Sequence, residues 1–242
     1  MDLSYKQLSP SLLNLQVLCR SLYLDRKFFF LFFSSSPYTD GYLLSNRFVV
    51  PRPGTGKTIT VIECIRQLLA KYPQAKVLAC APSNSAADLI AYRLREHLST
   101  DELFRFYAPS RFKDQVLDEL RPYTFTQADG HFSVPPMNRL INFKVVISTC
   151  VSAAVFSGIG MARGHFTHIF VDEAGQATEP ETFVSIKTLA DSKTNVILSG
   201  DPKQLGPVIR SAITRDLGLE KSYLERLMDR DVYNIQTGHG RR

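Results

Sequence analysis

Phe48-Val49-Val50-Pro51-Arg52-Pro53-Gly54-Thr55-Gly56-Lys57-Thr58 decides how this chain folds, together with the amphipathic stretch that runs on to Lys71. A short apolar run, a glycine loop and a helical pattern follow one another directly. Phe48–Val50 predicts a buried strand, and Thr58–Lys71 predicts a helix, with Ile59, Ile62, Ile65 and Leu69 at helical spacing. Gly54 and Gly56 allow a tight turn whose amides face phosphate oxygens, while Thr55 completes the loop. Lys57 can reach β- and γ-phosphates, and the Thr58 hydroxyl can ligate Mg²⁺. The full pattern of such loops is G-x-x-x-x-G-K-[ST]. Here its first position is Pro51, which lacks an amide hydrogen and has a fixed φ.

Outward from this loop, strands and helices alternate. Lys76–Ala81 predicts a strand and Ala86–His97 a helix. Phe104–Ala108, Lys144–Thr149, His168–Asp172 and Asn195–Ser199 predict further strands. Such alternation implies an α/β fold, a mostly parallel sheet covered on both faces in three layers. Ligands of these sheets bind at the carboxyl ends of the strands. Arg121–Asn142 is polar, contains Gly130 and Pro135-Pro136, and reads as an excursion loop. Residues 1–47 show no sustained period and form a poorly defined N-terminal segment, while the tail from 234 to 242 reads as disordered. The folded unit is placed at 48–233.

Four further strand ends carry candidate chemistry. Asp172 and Glu173 end an apolar run, where two carboxylates need a reason to be desolvated. A Mg²⁺ ion on Asp172, with Glu173 orienting and deprotonating an attacking water, supplies one. The alternative is an acidic pair at a helix start. Gly200-Asp201-Pro202-Lys203-Gln204-Leu205-Gly206-Pro207 follows the last strand. There Gln204 can hydrogen-bond a γ-phosphate or the attacking water, and Asp201 can anchor the loop; the alternative is a plain turn. Ser83, Asn84 and Ser85 follow the second strand, and Thr149 ends a later one. Small hydroxyl and amide side chains suit sugar–phosphate contacts, but Ser83 or Ser85 could equally be an N-cap.

Composition narrows the classes. The chain has 242 residues with a net charge of +6, compatible with a polyanionic partner. Cys19, Cys64, Cys80 and Cys150 are widely spaced, which argues against a zinc or disulfide framework. The apolar Phe28–Phe33 run falls well short of the roughly 20 residues a membrane span needs. No signal peptide is recognisable, so the expected compartment is the cytoplasm, with the nucleus as the alternative.

The motifs at Pro53–Thr58, Ala81–Asp88, Val171–Gln176 and Gly200–Val208 resemble those of superfamily 1 helicases of the Upf-like group. His165–His168 and Ser222–Leu227 narrow the likeness to the Armitage-like (Moloney leukaemia virus ten homologue) RNA helicases. The resemblance implies the first of two RecA-like P-loop domains, ATP and Mg²⁺ as cofactors, and ATP-driven movement on single-stranded RNA. It implies partners in RNA silencing or decay, and no membrane. The second domain of the family supplies the arginines that complete the γ-phosphate site. The chain ends at Arg242, before such a domain, so very slow hydrolysis and no unwinding are expected of it alone. Two alternatives stand beside this reading: a non-catalytic RNA- or partner-binding fragment, and a DNA helicase of the same superfamily. The family also carries an upstream adenine-reading Gln, of which Gln16 is a poor echo. With Pro51 and the Phe28–Phe33 block, that reads as an altered gene segment before Pro53.

Overall fold

The computed structural model describes the backbone of residues 30–33 and the full residues 57–201 and 205–230. Its sheet has the spatial order β1-β6-β5-β2-β4-β3. The strands are β1 (Phe30–Phe33), β2 (Val77–Ala81), β3 (Leu103–Arg105), β4 (Val145–Thr149), β5 (His168–Val171) and β6 (Asn195–Ser199). β2 to β6 are parallel throughout, and β1 lies antiparallel to β6. The mostly parallel α/β architecture is thus as expected. The predicted strands that fall on described residues agree to within one residue at each end, except that β3 stops at Arg105, three residues short of the predicted Phe104–Ala108 run. The Phe28–Phe33 run, given no element in the sequence reading, contributes the edge strand β1; aromatic residues favour the extended backbone. The predicted Phe48–Val50 strand and the 234–242 tail lie outside the described residues.

The strand sequences are short apolar runs because both faces of the sheet are covered. Leu78, Cys80, Ile169, Val171, Val196 and Leu198 point into one core layer, with Phe104, Phe156 and Phe166. Val77, Ala79, Ala81, Phe170 and Ile197 point into the other, with Ile65, Leu68, Ile90 and Leu94. This alternation is the two-residue period of a strand applied to a sheet with no wet face. Helices α1 (Lys57–Lys71) and α2 (Asn84–Leu94) cover the second layer. After a single turn, α3 (Met137–Leu140), the first layer is covered by α4 (Ala154–Gly158), α5 (Glu179–Leu189) and, beyond another short turn, α6 (Ala212–Asp216), by α7 (Tyr223–Met228).

The expected stripe of α1 holds at three of its four positions: Ile62 and Ile65 are buried and Leu69 packs against the same core, whereas Ile59 is 62% exposed. Val61, Cys64 and Leu68 are buried with them, so the face against the sheet is broader than the stripe and begins one turn later. Truncating Ile65 or Leu68 to alanine would cost about 2–5 kcal/mol in transfer and cavity terms. The 121–142 excursion is less irregular than expected. A 3₁₀ turn at Asp118–Tyr123 leads into it, and α3 and a Thr126–Phe132 bridge pin it.

Candidate nucleotide-binding site

The carboxyl ends of β2, β4, β5 and β6 form one edge, and most of the described candidate residues lie along it. At the β5–β6 side, Thr58 in the first turn of α1 donates a hydrogen bond of 2.8 Å to Asp172 Oδ2. Ser199, the last residue of β6, donates to Asp172 Oδ1, also at 2.8 Å. Asp172 is 1% exposed, its backbone amide donating to Cys80 at the end of β2. Burial pushes its carboxyl above the ordinary carboxylate range, while the two hydroxyls and the Lys57 charge pull against that shift. Lys57 opens α1 and is buried. Gly54, Thr55 and Gly56 lie outside the described residues, as does Gln204.

Glu173 follows in the left-handed region, at φ 52°. A non-glycine residue there is uncommon and costs about 1 kcal/mol or more, so the surrounding contacts must impose it. They do so through backbone. Ala174 N–H donates to the Ser199 carbonyl at 2.8 Å, and Gln176 N–H returns to Glu173 O at 2.9 Å. Position 175 has to be glycine: a Cβ on Gly175 would stand 2.7 Å from the Asp201 carbonyl oxygen. A Cβ on Gly200 would stand 2.7 Å from the Gly175 nitrogen. The two loops are therefore in backbone contact. Burial raises the Glu173 carboxyl above its usual range, the charges of Asp172 and Asp201 add to the rise, and Lys57 opposes it. A carboxyl moved toward neutrality in this way is suited to accept a proton from water.

The donor set fits a small hard cation. A buried carboxylate beside a hydroxyl, with no cluster of three or more His, Cys, Asp or Glu among the described residues, is what Mg²⁺ uses when nucleotide phosphates complete its shell. The N-terminus of a 15-residue helix, α1, is a ready site for those phosphates.

Further along the same edge, Ala81 and Thr149 are register partners of β2 and β4. This brings Thr149 beside the loop holding Ser83, Asn84 and Ser85. Ser83 caps α2, accepting from the Ala86 amide at 3.2 Å, and its hydroxyl lies 3.0 Å from that of Ser85. The N-cap alternative is therefore realised, yet both serines remain exposed. Thr149 Oγ1 is 2.8 Å from Ser152 Oγ and accepts from the Ser152 amide.

Sequence reasoning missed several residues of this edge. Ser199 holds half of Asp172 across 27 positions of sequence; a hydroxyl closing an apolar strand before Gly-Asp was its only signal. The close approach of Gly175 and Gly200 was hidden, since each glycine reads alone as a turn. The capping box in which Thr178 and Glu181 start α5 was legible as T-x-x-E but went unread.

Comparison with known proteins agrees with this geometry. The AAA domain family matches residues 41–132 and 137–212. The human RNA helicase Mov10l1 is 45% identical over 183 residues, covering 75% of this chain and 14% of that protein. The Drosophila melanogaster protein named "Probable RNA helicase armi" is 36% identical over 199 residues, covering 75% of this chain and 17% of its own length. The chain thus spans a small part of the relatives it resembles.

Proposed function

This chain belongs to the AAA domain family, and on that premise we propose that it is the ATP-binding and ATP-hydrolysing motor domain of an RNA helicase. The observation that carries the reading is the Thr58–Asp172 hydrogen bond. It joins the helix after the glycine loop to the acidic strand end 114 residues later, where a P-loop motor needs both groups.

Lys57, with the Gly54–Gly56 loop, would bind and orient the phosphates. Thr58 and Asp172 would hold Mg²⁺, which when bound neutralises phosphate charge. Glu173 would orient water and take its proton, and Gln204 would contact the γ-phosphate. Ser83, Asn84, Ser85 and Thr149 would carry the sugar–phosphate backbone of single-stranded RNA along the adjacent strand ends. Leu205, Val208, Ile213 and Leu217 are 73–82% exposed. Apolar side chains presented in this way favour a surface that meets a second motor domain. The proposed setting is cytoplasmic.

Calorimetry of Mg²⁺-ATP on this chain and its Lys57→Ala variant tests the reading. Binding by the parent that vanishes in the variant is the expected result. Equal binding in both, or none in either, would overturn it. Turnover that rises when a separate second motor domain is added would support the motor over a fragment that only binds RNA.

A further inference from the structure

Behind the RNA edge lies a buried polar cluster that nucleotide chemistry does not use. Arg105, at the end of β3, is fully buried, and around it Asp88 is 8% and Tyr107 1% exposed. Arg105 Nε donates to Asp88 Oδ1 at 2.8 Å, and Nη2 lies 2.7 Å from the same oxygen. Nη1 donates to the Phe106 carbonyl at 2.5 Å. Tyr107 Oη donates to Asp88 Oδ1 at 2.7 Å, and its ring centroid lies 4.0 Å from the guanidinium carbon. The remaining reach of the guanidinium leaves this cluster: Nη2 donates to Asn84 Oδ1 at 2.9 Å.

That last bond has a chemical consequence. Arginine has five donors and no acceptor, so Asn84 must turn its oxygen inward. The amide orientation, which is often ambiguous, is dictated here by its partner. What the half-buried Asn84 can then offer at the edge is its amino group, a donor beside Ser83 and Ser85. A donor there suits a phosphate oxygen. Neither serine could fix such an orientation, because a hydroxyl rotates to suit any partner.

We propose that Arg105 is a positioning residue for nucleic-acid binding: with Asp88 and Tyr107 it locks Asn84 as a hydrogen-bond donor to a backbone phosphate of bound RNA. This rests on the reading of residues 83–85 as an RNA edge. Arg105 touches no RNA itself and acts only through Asn84. A buried ion pair is weak evidence for stability on its own, whereas one that orients a half-exposed amide has a use that survives that objection.

The test is the affinity of the full chain for single-stranded oligouridine RNA, read by fluorescence anisotropy, with thermal melting to confirm folding. Asn84→Ala should weaken binding about tenfold, the scale of a hydrogen bond to a charged group. Arg105→Lys, which cannot bridge Asp88 and Asn84 together, should weaken it comparably. The double variant should be no weaker than the worse single, because both remove one contact. Additive losses, or a folded Arg105→Lys protein that binds RNA normally, would overturn the proposal. Should Arg105→Lys not fold, Asn84→Asp decides. It still accepts from Arg105 but turns an acceptor outward, so it should bind more weakly than Asn84→Ala; binding equal to the parent would overturn the proposal. Ser83→Asp with Ser85→Asp keeps an N-cap and places charge on the edge. If that variant binds RNA like the parent, the edge reading itself fails. If it loses RNA while Asn84→Ala and Asn84→Asp do not, the edge stands and the positioning role falls.

Discussion

The two ends of the parallel sheet are built from similar materials and do opposite things with them. At the amino end, polar groups close on one another. Thr167 Oγ1 donates to the Lys76 carbonyl at 3.0 Å, and Lys76 Nζ donates to the Asn142 and Phe143 carbonyls at 2.9 and 3.1 Å. His168 lies between Thr167 and Asn195, 2.9 Å from Thr167 Oγ1 and 3.4 Å from Asn195 Nδ2. Burial lowers its pKa to about 4, so it stays neutral in the fold. At the carboxyl end, Asp172 and Glu173 are buried beside one another and both rise above the usual carboxylate range. The groups named at the amino end pair with one another, whereas the carboxyl end keeps like charges together, where the proposed Mg²⁺ would neutralise them. Function therefore shows as unspent electrostatics rather than as polarity.

The comparison can be broken most sharply at Glu173. Glu173→Gln should lower single-turnover ATP hydrolysis, measured with RNA and Mg²⁺ present, by roughly 10²–10⁴-fold, the usual worth of a general base. His168→Gln, at the other end, should leave that rate alone.

Next in size is the contact between the two loops. Gly175→Ala forces a Cβ toward the Asp201 carbonyl and should lower stability by about 1–3 kcal/mol in urea unfolding, as overpacking does. At the closed end, Lys76→Met forfeits hydrogen bonds to two carbonyls from a half-exposed side chain and should cost only about 0.5–1.5 kcal/mol.

The smallest effects are in pH. A carboxyl whose folded pKa is raised binds its proton more tightly in the fold, so it contributes stability at low pH that is lost as pH rises through the raised value. Without nucleotide, Glu173→Gln should flatten that loss in thermal melts. His168 has the opposite sign. Its folded pKa is depressed, so its contribution is full above 6.5 and is lost as pH falls toward about 4. His168→Gln should flatten the acid side. If both substitutions moved the same limb, the contrast between the two ends would fail.

What was legible in the sequence follows the range of the interactions. Strands were readable because β2, VLACA, is buried at every position and so is apolar at every position. Asp172 and Glu173 were readable because charge at the end of such a run is anomalous. The face of α1 was legible only in part: Ile62 and Ile65 are buried as expected but Ile59 is exposed, because the distant sheet decides where the buried stripe starts. Arg105 and Ser199 were hidden for the same reason. Their partners lie 17 to 27 residues away, and no local period reports them. The Phe30–Phe33 strand pairs with Ser199–Val196, a partner that exists only once the rest of the sheet has formed.

The contact between Gly175 and Gly200 has a mechanical consequence. Two loops that meet backbone to backbone have no side chain between them to act as a cushion or a hinge. A push of a few tenths of an ångström on the Gly200–Asp201 turn would arrive at Glu173 almost undiminished, and there the chain already sits at a φ of 52°, with little slack. The loop after β6 and Glu173 after β5, the residue proposed to activate water, would then respond as one stiff lever. In such a lever, the smallest residue at the fulcrum sets the gain.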